Sequence, residues 1–269
     1  MLIIAGSDSG GGAGIQADIK TVTALAGYAA TAITALTAQN TCGVFGVHTV
    51  PAPFILQQIY VVLDDIGADC IKLGMLHDIP TIEAVADALE ARADDIPVVT
   101  DPVMYAKGGD ALLLTEAVDC IRQRILPLTT ILTPNLPEAA ALAGVRIDTL
   151  EDQVDVARGL RHAGPDAVLL KGGRGAGDPV LDVLATADGE ELLESPRIHT
   201  RNTHGTGCTL ASAIATGLAQ GLPLGRAVSR ARRYLAEAMR SAPDLGAGFG
   251  PLNHGHTVRP FGLSGESGG

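Results

Sequence analysis

The segment 202–209, which reads Asn-Thr-His-Gly-Thr-Gly-Cys-Thr, is the strongest chemical signal in the sequence. An apolar repeat of helical period follows it, so the motif stands at the start of a predicted helix. Gly205 and Gly207 free the backbone to direct successive N–H groups at one point, where the helix dipole adds positive potential. In comparable oxyanion sites each donor contributes about 3 kcal/mol. The motif predicts an anion hole for a transferred phosphoryl group, with Gly205, Thr206 and Gly207 as catalytic residues.

Cys208 lies in the first turn of that helix, where the helix dipole lowers the pKa of a thiol and favours the thiolate. We expect it to act as a general base toward a substrate hydroxyl. For a single cysteine the alternative is a small buried core side chain. For the motif as a whole the alternative is a glycine-rich turn that only begins a helix.

Polar residues or glycines directly follow the apolar runs that predict buried strands. These junctions are Gly6-Ser7-Asp8 after 2–5, Gly74-Met75 after 69–73, Asp101 after 97–100, Pro134-Asn135 after 130–133, and Lys171-Gly172-Gly173 after 167–170. In open parallel sheets the ligand lies outside the carboxyl ends of the strands. The junctions therefore predict one crevice that holds the active site.

Two acidic residues near these junctions, Asp101 and Glu138, are the predicted ligands of a Mg²⁺ ion, directly or through water. Mg²⁺ keeps several waters and uses one or two carboxylates together with phosphate oxygens. Asn135 lies one helical turn before Glu138, and we expect it to join the network around the nucleotide phosphates. It could also cap the helix that follows, and the two roles are compatible.

Lys171 is the predicted phosphate-binding cation, with roles in catalysis and in cofactor binding, because it ends a buried strand and precedes two glycines. Lysines elsewhere usually extend to solvent. Lys72 and Lys107 are weaker candidates.

The elements that must position these residues alternate between short apolar runs and segments of helical period, which is typical of β-α units and a mainly parallel sheet. The predicted core strands are the runs given above together with 30–37, and helices are predicted at 81–92 and 150–162. Thr149 is expected to cap the second of these helices. Short antiparallel strands are expected at 43–50 and in a hairpin formed by 180–186 and 190–195. We expect one domain over 1–261 and a Gly/Ser-rich tail at 262–269.

Composition narrows the function. The chain of 269 residues has 19 basic and 30 acidic residues and a formal charge of -11, without a basic block, which disfavours nucleic-acid binding. The four cysteines form no CxxC pair and read as reduced thiols of a cytoplasmic protein. No apolar run approaches the roughly 18 residues that a membrane span needs.

The sequence resembles the hydroxymethylpyrimidine/phosphomethylpyrimidine kinases of thiamine synthesis, which belong to the ribokinase-like superfamily. The resemblance begins with the run from Ala5 to Thr21 and includes Cys208, where most ribokinase-like sugar kinases have an aspartate. It continues through Ala38-Gln39-Asn40-Thr41, Lys72-Leu73-Gly74-Met75-Leu76, Asp101-Pro102-Val103-Met104, Thr133-Pro134-Asn135-Leu136-Pro137-Glu138-Ala139, Lys171-Gly172-Gly173 and Asn253-His254. These motifs span nearly the whole chain in the order of the family.

The resemblance implies a three-layer α/β sandwich and a homodimer that uses ATP and Mg²⁺. The implied activity is phosphorylation of a hydroxymethylpyrimidine to its monophosphate and then to its diphosphate. Asp18 and Gln39 would hydrogen-bond the aminopyrimidine edge, while Ala13, Met75 and Val103 would pack on the ring. An amide and a carboxylate can pair with ring nitrogens and an exocyclic amine, and methionine offers an adaptable apolar face.

Two other functions are compatible with the sequence. A pyridoxal or pyridoxine kinase of the same superfamily is the nearest, and Gln39 and Met75 favour a pyrimidine over it. A non-catalytic pyrimidine-binding protein would be expected to have lost the anion hole or the metal-binding acids, all of which are present.

Overall fold

The computed structural model describes residues 1–173 and 178–259 of the chain. Within these ranges nine strands form a single sheet in the order β3-β2-β1-β4-β5-β6-β7-β8-β9. The strands are β1 (Leu2–Asp8), β2 (Ala30–Asn40), β3 (Gly43–Thr49), β4 (Ile71–Leu73), β5 (Val98–Thr100), β6 (Ile131–Leu132), β7 (Ala167–Leu170), β8 (Val180–Thr186) and β9 (Gly189–Ser195). The six central strands, β2-β1-β4-β5-β6-β7, are parallel. Strand β3 pairs antiparallel with β2 at one edge, and β8 and β9 follow β7 as antiparallel pairs at the other.

Helices cover both faces of the sheet. They are α1 (Gly14–Ala24), α2 (Ala52–Leu63), α3 (Ile79–Arg92), α4 (Val118–Cys120), α5 (Leu136–Ala143), α6 (Leu150–His162), α7 (Thr206–Ala219) and α8 (Leu224–Arg240). Short 3-10 and π segments extend α4 on both sides, from Thr115 to Leu128. Among the described residues no helix has both the length and the apolar character that a membrane crossing requires.

Two separate apolar cores hold the three layers together, one on each face of the sheet. Strand β1 shows how the sequence divides between them, because successive side chains point to opposite faces. Leu2 and Ile4 pack into the core under α2, α3, α5 and α6. Ile3 and Ala5 pack into the core under α1, α7 and α8. The run 2–5 is apolar at every position because both of its faces are buried, as is typical of strands in a parallel sheet.

The structure confirms the predicted α/β class, the predicted core strands and the added antiparallel strands, with small changes at the ends. Strand β1 runs on to Asp8, because Ser7 and Asp8 continue to pair with Leu36 and Thr37 of the long strand β2. Thr149 caps α6 as expected. The predicted tail 262–269 lies outside the described residues.

Candidate active site

A cavity of about 1050 Å³ opens at the carboxyl ends of the parallel strands. Every predicted site residue except Asp18 lines it, namely Ala13, Gln39, Met75, Asp101, Val103, Asn135, Glu138, Lys171, Gly205, Thr206, Gly207 and Cys208. The strand junctions that the sequence separates by up to about 200 residues are thus brought to one crevice, as the rule for open α/β sheets predicts.

The turn before α7 forms one wall of the cavity. Gly205 is the N-cap of this helix and has a left-handed backbone with φ 82°. A Cβ atom at this position would overlap the carbonyl oxygen of Gly12, so only glycine fits. Thr206, Gly207 and Cys208 form the first helical turn, whose N–H groups have no acceptor within the helix. The turn therefore presents backbone donors and the positive helix end to the cavity.

Lys171 and Asp101 form an ion pair directly beside this turn. The Lys171 Nζ lies 2.9 Å from Asp101 Oδ1, and the side chains are 15% and 4% exposed. A Cβ atom at Gly207 would lie 3.0 Å from Asp101 Oδ2 and 3.4 Å from Lys171 Nζ, so the turn touches both groups. Burial alone would lower the pKa of Lys171, but the charges of Asp101 and Glu138 raise it. Lys171 is therefore a firmly protonated ammonium group at the cavity wall.

Glycine also fixes the strand end that carries Lys171. A Cβ atom at Gly172 would overlap the carbonyl oxygen of Leu181 on β8, so a larger residue would separate the two strands. The Gly172 N–H donates to Asp182 Oδ1 at 2.9 Å. This close contact with β8 fixes the position of the strand end that carries Lys171.

Asn135 and Glu138 form a reciprocal capping box at the start of α5. The Asn135 N–H donates to Glu138 Oε2 at 2.9 Å, and the Glu138 N–H donates to Asn135 Oδ1 at 3.1 Å. Asn135 thus caps the helix while it lines the cavity, as the sequence allowed. The box also orients the Glu138 carboxylate beside the Asp101 and Lys171 pair.

The residues predicted to contact a ring also belong to the cavity. Ala13, Gln39, Met75 and Val103 line it together. Gly6 leaves room for Met75, whose Sδ would lie 2.9 Å from a Cβ atom at that glycine. Met75 and Val103 also belong to one small apolar cluster, so two of the predicted ring contacts are neighbours.

Asp18 departs from its predicted role. It is fully buried on α1 and lies behind the cavity wall. Its Oδ2 accepts a hydrogen bond from Lys72 Nζ at 2.9 Å, and its Oδ1 accepts one from Ser212 Oγ at 2.7 Å. Because both carboxylate oxygens are engaged inside the protein, we correct the predicted contact with the pyrimidine. Asp18 is the counter-ion of Lys72.

Cys208 departs from its expected ionisation. Burial raises the pKa of this thiol to about 12, and Asp18 and Asp101 add to the rise against the lowering effect of Lys72. The expected lowering by the helix dipole is outweighed, because desolvation and two nearby carboxylates oppose the thiolate. Cys208 is a thiol at neutral pH in this structure.

Asp8 and His204 are a pair in the cavity wall that sequence reasoning missed. The His204 Nε2 lies 2.8 Å from Asp8 Oδ2. Burial alone would raise the pKa of Asp8, but hydrogen bonds from His204 and from the Ala13 N–H lower it to about 2. An aspartate two residues before a glycine is a signal for a local turn, and Asp8 Oδ1 does accept from the Gly10 N–H at 2.8 Å. The contact with His204, 196 residues away, has no local signal.

The family model described as phosphomethylpyrimidine kinase matches residues 8–253 of the chain. The chain belongs to this family. A hydroxymethylpyrimidine/phosphomethylpyrimidine kinase from Streptomyces coelicolor is 47% identical, over 95% of this chain and 94% of its own length. A thiamine biosynthesis bifunctional protein from Geobacter sulfurreducens is 50% identical over 94% of this chain, and the chain spans about half of that longer protein, 52%.

A solved structure with the same fold is the ADP complex of a pyridoxal kinase from Bacillus subtilis. It superposes with a TM-score of 0.87 at 35% identity, and covers 94% of this chain and 96% of its own. That protein and this kinase family therefore share the ribokinase-like architecture that the resemblance implied. The chain is therefore a kinase of the hydroxymethylpyrimidine/phosphomethylpyrimidine type.

Proposed function

We propose that this kinase transfers the γ-phosphoryl group of ATP to the hydroxymethyl group of 4-amino-5-hydroxymethyl-2-methylpyrimidine, and then phosphorylates the monophosphate to the diphosphate. One observation carries the proposal: the glycine turn at Gly207 packs on the ion pair of Lys171 and Asp101 inside a single cavity. Backbone donors, a fixed cation and a carboxylate are the groups that phosphoryl transfer requires at one point. The proteins with the same domain named above support the choice of substrate.

The main contribution of the chain to catalysis is positioning and charge stabilisation. The transition state of phosphoryl transfer is loose, and negative charge is spread over the oxygens of the transferred group. The N–H groups of Gly207 and Cys208 and the ammonium of Lys171 would meet that charge. Because the groups are fixed by the strand end and the helix start, little reorganisation is needed during transfer.

The donor set fits a Mg²⁺ ion held by Asp101 and Glu138. Asp101 and Glu138 both line the cavity, and carboxylate oxygens are the ligands that a hard cation or its bound waters prefer. No group of three or more potential metal-binding side chains occurs within the described ranges, which suits a cation that completes its shell with water and phosphate oxygens. When bound, the ion would neutralise phosphate charge.

At the acceptor end, Gln39 would pair with the aminopyrimidine edge while Ala13, Met75 and Val103 pack on the ring. Cys208 would accept the hydrogen bond of the hydroxymethyl O–H and so orient the attacking oxygen. Since the thiol is protonated, it would orient the hydroxyl, and the hydroxyl proton would pass late to an oxygen of the transferred phosphoryl group, in keeping with a loose transition state. In the second step the acceptor is already an ionised phosphate, so the placement of cations matters more than Cys208.

A pyridoxal kinase activity is the second candidate, because the solved neighbour described above is a pyridoxal kinase. The amide of Gln39 and the apolar Met75 favour the pyrimidine. Side-by-side kinetics with the two alcohols would decide between them, and a strong preference for pyridoxal would overturn the substrate assignment.

The direct test is product analysis. The purified chain is incubated with the hydroxymethylpyrimidine, ATP and Mg²⁺, and the products are separated over time. We expect the monophosphate to appear first and the diphosphate to follow. Release of ADP without either pyrimidine product would contradict the proposal. The homodimer and the cytoplasmic location inferred from the resemblance and composition remain predictions.

A further inference from the structure

Asp8, at the end of β1, organises the glycine loop that follows it. Its Oδ1 accepts a hydrogen bond from the Gly10 N–H at 2.8 Å. Its Oδ2 accepts from the N–H groups of Gly12 and Ala13 at 3.0 and 2.8 Å. The carboxylate therefore fixes three backbone groups of the segment 10–13, which we call the acceptor loop because Ala13 is predicted to pack on the pyrimidine.

His204 reaches the same carboxylate from the other end of the chain. The His204 Nε2 lies 2.8 Å from Asp8 Oδ2. The backbone N–H of His204 donates to the Gly250 carbonyl oxygen at 3.1 Å. Both Asp8 and His204 are buried. Since His204 directly precedes Gly205, its side chain ties Asp8 to the first residue of the turn 205–208, here called the phosphoryl turn.

The backbones of the two segments are also in direct contact. A Cβ atom at Gly12 would overlap the His204 ring, and one at Gly205 would overlap the carbonyl oxygen of Gly12. The acceptor loop and the phosphoryl turn therefore lie in close contact at Gly12, Ala13 and Gly205. Such a contact resists compression, and the pair of Asp8 and His204 adds a side-chain link between the two segments.

We propose that Asp8 and His204 are positioning residues that lock the acceptor loop to the phosphoryl turn and so set the distance between the acceptor oxygen and the phosphoryl group. The proposal rests on the proposed function, because one segment would hold the acceptor and the other the transferred group. Transfer requires the reacting atoms within a few ångströms, and a displacement of about 1 Å can slow a reaction about 100-fold.

Two amide variants at position 204 separate this role from simple packing. Gln can place a side-chain N–H near the position of the histidine Nε2, whereas the shorter Asn cannot reach Asp8. We expect His204→Asn to lower kcat about 30-fold with KM for ATP within about twofold, and His204→Gln to stay within about fivefold of wild type. His162→Asn, at an exposed histidine of α6, is the matched control and is expected to leave both constants unchanged.

Hydrogen exchange provides a readout that needs no substrate. Amides in the peptide that contains Gly10, Gly12 and Ala13 should exchange at least about tenfold faster in His204→Asn than in wild type or His204→Gln, since the carboxylate that binds them loses its anchor. Faster exchange together with a fall in kcat would support the lock. Equal exchange in the three proteins, or an unchanged kcat in His204→Asn, would overturn it.

The two proposals fail in different ways. If wild type makes no pyrimidine phosphate, the proposed function is wrong, and hydrogen exchange still decides whether His204 anchors the acceptor loop. If His204→Asn does not fold, the comparison moves to Asp8→Asn and His204→Gln. Asp8→Asn should then release the same amides, and their protection in both variants would overturn the lock.

Discussion

Two buried lysine–aspartate pairs lie at the carboxyl ends of the sheet, and they differ mainly in what they face. Lys72 and Asp18 are 2.9 Å apart and both side chains are 0% exposed. Lys171 and Asp101 are also 2.9 Å apart, but their side chains are 15% and 4% exposed. Lys72 belongs to the cavity lining, but its side chain has no exposed surface, and Asp18 on α1 is held by Ser212 on α7. Lys171 exposes part of its side chain to the cavity beside the phosphoryl turn. We call the first the closed pair and the second the open pair.

The difference indicates which lysine can take a phosphate oxygen as its partner. Desolvation of Lys72 is already complete and is compensated by Asp18, which raises the pKa of the lysine despite its burial. Lys171 can gain a further anionic ligand from the cavity without unfolding its surroundings. We therefore assign stabilisation of the fold to the closed pair and phosphoryl transfer to the open pair.

The largest effect is expected from Asp18→Asn. It leaves the buried Lys72 ammonium without a counter-charge, which costs about 3–5 kcal/mol in comparable buried pairs. The free energy of unfolding, measured with urea, is the readout. Asp148→Asn is the control, because its pair with Arg146 has side chains 87% and 64% exposed and should contribute no more than about 0.5 kcal/mol. Similar losses in both variants would show that the closed pair is not a stabilising element.

Gly207→Ala should damage the open pair while the fold is kept. The added methyl group would press on Asp101 Oδ2 at 3.0 Å and come into contact with Lys171 Nζ at 3.4 Å, so the carboxylate of the pair must shift. We expect kcat to fall about 100-fold. Gly225→Ala is the control, since Gly225 stands at the same second position of α8 with no neighbour in the way. A Gly207→Ala enzyme with wild-type activity would show that the turn at Gly207 takes no part in phosphoryl transfer.

Cys208→Ala tests the thiol that both lysines influence electrostatically. We expect a loss of about tenfold or more for phosphorylation of the alcohol, and a smaller loss for the monophosphate, whose acceptor oxygen is already ionised. Rates of the two steps are measured separately with each substrate. Cys42→Ala, at an exposed cysteine, should change neither. Equal losses in both steps would contradict a role for Cys208 at the hydroxyl.

The smallest effect is expected for the pH dependence of stability that Asp8, a residue of the cavity lining, produces. Its pKa is lowered from 3.8 in the unfolded chain to about 2, so its stabilisation is complete at neutral pH. The stabilisation is lost as the pH falls from about 4 to about 2, and about 1 kcal/mol of it is lost between about pH 5 and about pH 3. Urea unfolding at about pH 5 and about pH 3 should show a smaller loss in Asp8→Asn than in wild type. Parallel losses would show that Asp8 does not titrate as described.

Much of this arrangement could be predicted from the sequence, because local patterns carry it. The apolar runs predicted the strands, and the strand-end rule predicted that Asp101 and Lys171 lie in one crevice. Thr149 was predicted as a helix cap from its spacing to Asp152, and a cap role for Asn135 was compatible with its predicted place in the phosphate network. In each case the informative residues lie within a few positions of one another.

The errors have the opposite character. Asp18 meets Lys72 across 54 residues and Ser212 across 194, and nothing near Asp18 in the sequence shows that its carboxylate turns inward. The pKa of Cys208 depends on desolvation and on carboxylates brought in from other elements, which outweigh the local dipole. Asp8 and His204 were missed for the same reason. Charge environment is a tertiary property, so sequence patterns locate a site better than they assign its protonation.

The most direct test compares Lys171→Met with Asp18→Asn in single-turnover transfer from labelled ATP, with the folded fraction of each protein measured in parallel. We predict that Lys171→Met remains folded and transfers about 100- to 1000-fold more slowly. Asp18→Asn should lose more stability but transfer within about tenfold of wild type per folded molecule. Transfer by Lys171→Met at close to the wild-type rate would contradict the assignment of the open pair to phosphoryl transfer.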